Sequence, residues 1–304
     1  ALYVFLSAIT IHDATPGIVS GPAQSPTGPW AADLTPTVLK NERRKGDHPM
    51  HILVTNDDSV TAPGLLRLAQ AMKPLGKVSV LAPDRNWSAG GHVKTLHRPL
   101  RIKEVTLDDG TPALANDGAP SDCVAMALLG IIEDKIDLVV SGINPNGNLG
   151  HDVTYSGTVT AAMEAVIAGI PGFAFSLVSP DEHQEELDYE TAGQIARQIV
   201  ETAVEHGLRD DLLLNVNIPY LQLDQIAGIR VTRLGLRVYR DRLDRRLDPR
   251  GRPYYWIGGD HPTGVPDDGT DFGALAEGYV SVTPLQLDLT NHRKVDQMRA
   301  WSWE

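Results

Sequence analysis

Short apolar runs recur along the chain, separated by stretches in which apolar residues return every third or fourth position. The runs are 51–55 (His51-Ile52-Leu53-Val54-Thr55), 78–82 (Val78-Ser79-Val80-Leu81-Ala82), 137–141 (Asp137-Leu138-Val139-Val140-Ser141), 172–176 and 212–217. Runs of this length, without polar alternation, suit strands buried on both faces of a parallel sheet. Helical spacing falls between them at about 62–73, 121–131, 157–168 and 189–206, and Val280-Ser281-Val282-Thr283 reads as a last strand. The alternation predicts an α/β protein with a Rossmann-like, doubly wound, mostly parallel sheet. About five strand–helix units are too few for an eight-fold barrel.

The two ends depart from this pattern. Residues 1–49 carry an apolar start, Ala1 to Ile11, with no basic segment before it, so the signal-peptide pattern is incomplete. A stretch rich in Pro, Gly, Ser and Thr follows, from Asp13 to Pro36. Its composition predicts a disordered N-terminal extension, with the folded unit starting at Met50. A catalytic core over 50–228 is expected, followed by a C-terminal arm over 229–304 that returns to the core. Nine arginines lie from Arg230 to Arg252, interleaved with Asp241, Asp244 and Asp248 and followed by Tyr254-Tyr255-Trp256. Arg, Tyr and Trp concentrated in one segment point to a subunit contact, hence a homodimer or larger.

Charge and composition narrow the function classes. A net charge of −12 argues against binding nucleic acid polymers or anionic membranes. No run approaches the ~18 apolar residues of a membrane span. The single Cys123, in the apolar run 123–129, excludes an internal disulfide and a Cys-rich zinc site; it reads as a core thiol in a protein of a reducing compartment. The sequence holds no G-x-G-x-x-G after a strand, no G-x-x-x-x-G-K-[ST], no G-x-S-x-G and no H-E-x-x-H, and the ten histidines are scattered.

The chemistry concentrates where predicted strands end. The first run stops at Asn56-Asp57-Asp58, just before a helix that starts at Ala62-Pro63-Gly64. Ligands bind at the carboxyl ends of strands in open α/β sheets, and adjacent carboxylates repel unless a cation lies between them. One carboxylate would be enough for helix capping. The second run leads into Pro83-Asp84-Arg85-Asn86-Trp87-Ser88-Ala89-Gly90-Gly91, where Ser88 offers a hydroxyl. The third leads into Gly142-Ile143-Asn144-Pro145-Asn146-Gly147, where Asn144 offers an amide oxygen. Turn chemistry alone could account for each loop. Together with Asp57 and Asp58 they form an oxygen-only donor set suited to Mg²⁺ or Mn²⁺. Ser156-Gly157-Thr158 opens a further helix, which can cap itself or bind an anion such as phosphate.

These motifs, in this order, closely resemble the SurE family of 5′/3′-nucleotidases. The segments are Val54-Thr55-Asn56-Asp57-Asp58, Ala82-Pro83-Asp84-Arg85-Asn86 with Ser88, Ser141-Gly142-Ile143-Asn144 and Tyr155-Ser156-Gly157-Thr158-Val159. The likeness continues through Asn215-Val216-Asn217-Ile218-Pro219, Asp248-Pro249-Arg250-Gly251-Arg252 and Gly278-Tyr279-Val280-Ser281. The resemblance implies a cytoplasmic phosphomonoesterase that acts on nucleoside monophosphates with one divalent cation per subunit. It places the metal on Asp57, Asp58, Ser88 and Asn144, catalysis on Asp57, Asp58 and Asn144, and substrate phosphate near Asn56, Ser156, Gly157 and Thr158. It also implies a homodimer or homotetramer with exchanged C-terminal arms. Activity toward other phosphoesters or polyphosphate, and a noncatalytic nucleotide-binding module, are the alternative functions; water and an Asp side chain are the alternative nucleophiles. The chain departs from the family pattern at Ser59 and Ala89, where glycine is usual, and at Asn146. Were positions 59 or 146 to require a positive φ, Asn would tolerate it better than Ser.

Overall fold

The computed structural model describes residues 49–180 and 186–303, with backbone alone for 260–262. The predicted extension, all but Pro49 of it within the first 48 residues, lies outside the described residues. The elements in chain order are β1 (His51–Thr55), α1 (Pro63–Met72), β2 (Lys77–Pro83), β3 (Ile102–Thr106), β4 (Pro112–Asn116), α2 (Pro120–Met126), β5 (Leu138–Asn144) and α3 (Gly157–Ile167). Then come β6 (Gly172–Val178), α4 (Glu190–Glu205), β7 (Leu213–Pro219), β8 (Gly228–Val231), β9 (Arg237–Leu247), β10 (Pro253–Gly264), α5 (Asp271–Ala276), β11 (Tyr279–Leu285) and α6 (His292–Met298).

Nine strands form one sheet in the order β3-β4-β2-β1-β5-β6-β7-β11-β8. The run from β4 through β7 is parallel, with β3 antiparallel to β4 and β11 antiparallel to β7. The doubly wound α/β expectation holds. The chain leaves β1 toward β2 on one side and later returns to β5 on the other. The gap between the carboxyl ends of β1 and β5 is therefore the switch point at which such sheets bind ligands.

Side-chain alternation along the central strands assigns the helices to two faces. Ile52, Val54, Val80, Leu138 and Val140 pack against Leu65, Leu68 and Met72 of α1 and Ile195, Ile199 and Val200 of α4. Leu53, Leu81 and Val139 point the other way, toward Cys123 and Val124 of α2 and Ala161 and Ala165 of α3. Pro63 opens α1 at a position that needs no N–H donor, and the apolar spacing Leu65-Leu68-Ala69-Met72 gives it one buried face. Helix α3 is buried almost all round, which its run of Gly, Ala, Val and Thr permits. The helix expected over 121–131 turns π-helical after Met126 and breaks at Gly130, whose φ is 116°. Cys123 is fully buried, and that burial pushes its thiol well above the usual range.

The elements absent from the sequence reading are β3, β4, β8, the β9–β10 hairpin, α5 and α6. Among the described residues the two hairpin strands pair only with each other. Its first strand, Arg237 to Leu247, alternates Arg and Asp with few apolar residues, so no hydrophobic period marks it. Exposed strands of this kind escape pattern reading, because no buried face imposes one.

Both positions where glycine would be expected carry left-handed backbone: φ is 106° at Ser59 and 58° at Ala89. Asn146 is not among the positive-φ residues. A side chain in this region costs about 1–2 kcal/mol, partly offset by the entropy that glycine loses on folding. Ser59→Gly and Ala89→Gly should therefore each raise stability by roughly 0.5–1 kcal/mol, about 2–3 °C in thermal unfolding. Unchanged or lower midpoints would show that these turns carry no strain.

Candidate active site

Strand β1 ends inside the sheet, so the residues immediately beyond it remain covered. Asn56 is 1% exposed and Asp57 3%, while Asp58 is half-buried. Burial pushes the Asp57 carboxyl up. The hydroxyl of Thr158 opposes this by donating to Asp57 Oδ1 at 2.5 Å, and the backbone N–H groups of Thr158 and Gly157 act in the same sense, without cancelling the rise. Asp58 is pushed up to about 7, first by burial and then by the charge of Asp57. Its Oδ1 accepts a long hydrogen bond from Asn86 Nδ2 at 3.4 Å. Its Oδ2 is buried with no hydrogen-bonding partner among the described residues, as is Asn56 Oδ1. Two crowded carboxylates and two partnerless buried oxygens make an acceptor-only cluster. A hard cation meets that requirement directly.

The loop after β2 is bound to this cluster. Trp87 N donates to Asp57 O at 2.7 Å, and Val60 N donates to Pro83 O at 2.8 Å. Ser88, one residue past the tie, is exposed, and its N–H donates to Asn86 Oδ1 at 2.7 Å. Asn144 is the last residue of β5, extending the strand beyond the expected end at 141, and a register shift between Ser141 and Asn144 re-aims the chain there. Its Nδ2 is committed to Asn146 O, so its oxygen is the end of the amide that can serve a cation. The structure thus gathers Asp57, Asp58 and the Asn86–Ser88 loop in hydrogen-bonded contact and sets Asn144 at the end of the adjoining strand.

The helix end assigned from the sequence to phosphate is engaged within the protein. Ser156 Oγ accepts from Val159 N at 3.1 Å as the cap of α3, and Thr158 and Gly157 face Asp57. A Cβ built on Gly157 would stand 2.7 Å from Asp57 Cβ and 2.8 Å from its Oδ2. The glycine therefore admits the protein's own carboxylate, and the positive end of the helix offsets part of that charge. Asn56 donates Nδ2 to Ser59 O at 2.8 Å and turns an acceptor, not a donor, to its surroundings. In this arrangement Gly157 and Thr158 hold the Asp57 carboxylate, Ser156 caps their helix and Asn56 closes the turn at Ser59.

Several residues around the site carry little mark in the sequence. Glu164, buried on α3, pairs with His92 and Lys94 from the loop that carries Ser88. Burial pushes its carboxyl up, but the hydrogen bonds from His92 and Lys94 outweigh this and hold it below the usual range. A lone carboxylate in the otherwise apolar run Ala161-Ala162-Met163-Glu164-Ala165 was the available signal. The Tyr189 phenol, pushed up to about 12 by burial and then by the charge of Asp58, has no such local signal. Its ring packs by Gly64 of α1, from a part of the sequence remote from both carboxylates.

Fold and site together define an open α/β protein with an acidic, oxygen-rich ligand site at its switch point. The chain belongs to the SurE family: the family profile described as survival protein SurE matches residues 52–241. It is 55% identical over 254 residues to a 5′-nucleotidase SurE from Herpetosiphon aurantiacus, covering 84% of this chain and 99% of that one. It is 53% identical over 255 residues to a 5′-nucleotidase SurE from Chloroflexus aggregans, covering 84% of this chain and all of the other. The crystal structure of the SurE protein from Aquifex aeolicus superposes with a TM-score of 0.70 at 43% identity, over 82% of this chain and 98% of that one.

Gly157→Ala should separate the two roles considered for this glycine. Because the added methyl meets Asp57, the variant should lose at least ~10-fold in divalent-cation affinity, the scale of disturbance seen when residues supporting metal ligands are altered. Titration calorimetry with Mn²⁺ checks this. Unchanged cation affinity combined with a raised KM would return the glycine to direct substrate contact.

Proposed function

We propose that this protein is a divalent-cation-dependent phosphomonoesterase that converts nucleoside monophosphates to nucleoside and phosphate. The observation that carries the reading is the pair Asp57 and Asp58 at the switch point, with Asp58 Oδ2 buried and without a partner among the described residues. The similarity to proteins named 5′-nucleotidase supports the substrate class. Asp57 and Asp58 would hold Mg²⁺ or Mn²⁺ with the neutral oxygens of Ser88 and Asn144. When bound, such a cation supplies positive charge to phosphoryl oxygens and lowers the pKa of water.

The chain's own residues set up that chemistry. Thr158 and the first N–H groups of α3 fix the Asp57 carboxylate, so the ligand is oriented before substrate arrives. Because Asp57 Oδ1 is committed to Thr158, holding suits this side chain better than nucleophilic attack, and water is the nucleophile in this reading. Asn86 and the Trp87 N–H keep the Ser88 loop against the carboxylates. The likeness to the SurE family supports a cytoplasmic setting. Among the described residues no helix is long and apolar enough to cross a membrane.

The arm supplies the assembly surface. On the β9–β10 hairpin Ile257 is paired opposite Leu243, with exposures of 83% and 66%, and Trp256 is 61% exposed. Apolar and aromatic groups so presented are covered by a second copy of the chain, giving a homodimer or homotetramer.

Two experiments test this reading. EDTA should abolish phosphate release from nucleoside monophosphates and Mn²⁺ or Mg²⁺ should restore it, while Asp57→Asn and Asp58→Asn should each lose at least ~100-fold in rate. Full activity in chelated enzyme would refute the cation role, and a preference for sugar phosphates or polyphosphate would move the substrate class. Leu243→Asp with Ile257→Asp should yield a smaller species in light scattering. An unchanged mass would place the subunit contact elsewhere.

A further inference from the structure

The turn Gly150–Thr154 links Asn144 on β5 to the cap of α3, and it is held from outside by the root of the C-terminal arm. Tyr239 donates its hydroxyl to Asp152 Oδ1 at 2.5 Å, and Arg237 Nε stands 2.9 Å from Asp152 Oδ2, an ion pair without the alignment of a hydrogen bond. Both partners belong to the first three residues of β9. On its backbone side the same residue controls the entry to the helix: Asp152 O accepts from Tyr155 N at 2.9 Å and from Ser156 N at 3.1 Å. A second acidic staple backs this up. Asp271, fully buried, accepts from Gly150 N through one oxygen and from Gly235 N through the other, both at 2.8 Å. Gly150 has a φ of 53°, and a Cβ there would meet Gly235 O at 2.6 Å, so the turn and the arm root are in direct backbone contact.

From Asp152 the connection to the carboxylate pair is short. The residue whose N–H it receives, Ser156, caps α3, and the next two residues hold Asp57. The arm offers none of the four candidate ligands, yet it grips the turn that sets where the first residues of α3 lie. We propose that Asp152 is a positioning residue for Asp57, and that Arg237 and Tyr239 of the arm root act through it on cation affinity. This inference rests on the cation-site reading above. It makes the seat of the arm a determinant of the metal centre, so that an event that pulls on β9, such as engagement of a second copy, alters the centre from a distance.

The competing role is plain anchoring, in which Asp152 keeps the arm attached and adds only stability. Cation affinity separates the two, because anchoring lowers the thermal midpoint without moving Mn²⁺ binding. The experiment measures the Mn²⁺ dissociation constant on the full chain, by electron paramagnetic resonance of the free ion, with thermal unfolding of the same preparations. Asp152→Ala should bind Mn²⁺ 10–100-fold more weakly, the usual range when support of a ligand is lost. Asp152→Asn, which keeps one acceptor for the arm, should recover part of the loss. Tyr239→Phe should weaken binding several-fold from the arm side alone. Glu277→Gln, which removes an ion pair with Arg230 away from this turn, should leave the constant unchanged. An unchanged constant in Asp152→Ala with a lowered midpoint would overturn the proposal. Should that variant fail to fold, an unchanged constant in Tyr239→Phe would do so. Loss of Mn²⁺ binding in Asp57→Asn alongside normal binding in Asp152→Ala would leave the cation site standing and remove only the positioning role. A wild-type chain that binds no Mn²⁺ would remove both.

Discussion

The contact between the Asp57 carboxylate and the first turn of α3 sets terms for much of the surrounding structure. A carboxylate 3% exposed cannot stay charged without donors, and the protein provides them from Thr158 and from helix N–H groups. That contact requires a residue without a side chain at 157, which explains the glycine. It also requires α3 to lie close on the sheet, and Ala161, Ala162 and Ala165 allow that approach with every one of them fully buried. The helix therefore has two tasks: it covers one face of the sheet and it partly neutralises the charge at the sheet's edge.

A related economy operates on the other side of the switch point. The loop after β5 is irregular and sinks into the protein at Asn148, so the backbone groups there need partners from within. Asn148 O accepts from Asn215 Nδ2 at 2.8 Å and Asn217 Nδ2 at 3.1 Å, Asn148 N donates to Asn217 Oδ1 at 2.8 Å, and Asn148 Nδ2 donates to Ser176 Oγ at 2.7 Å. These side chains rise from β6 and β7, in the middle of the sheet. Amides replace the apolar residues that a central strand would otherwise carry, and they fix the segment that begins at Asn144. Asn215 Oδ1 has no hydrogen-bonding partner among the described residues, but the bonds to Asn148 are all made, and a buried network of this kind gives a loop one conformation.

Most of the sheet was legible in the sequence, and for a physical reason. Strands β1, β2, β5, β6 and β7 are buried on both faces, so their apolar runs stand out, and helices α1 and α4 carry a clear 3.6-residue period. Strands β3 and β8 lie at the sheet's edges and β4 just inside one of them. Lys103 and Glu104 dilute the pattern of β3 and Arg230 that of β8, while β4, Pro112-Ala113-Leu114-Ala115-Asn116, carries only one large apolar residue. The carboxylate pair was visible because two adjacent acids at a strand end have no ordinary structural use. Its supports were not. Thr158, read as a phosphate group's partner, turns inward to Asp57, and Glu164, Asp152 and Tyr189 reach the site only through folding that no local pattern encodes.

The sealed thiol has a practical consequence. Cys123 lies fully buried on the face of α2 that packs against the sheet, and burial raises its pKa and keeps it in the unreactive protonated form. Among the described residues it is the only cysteine. A maleimide dye or spin label added to the native fold would therefore find no surface target on that residue. One engineered cysteine on the exposed hairpin would take up the label alone, turning the arm into a reporter whose distance to a paramagnetic Mn²⁺ ion can be followed in solution.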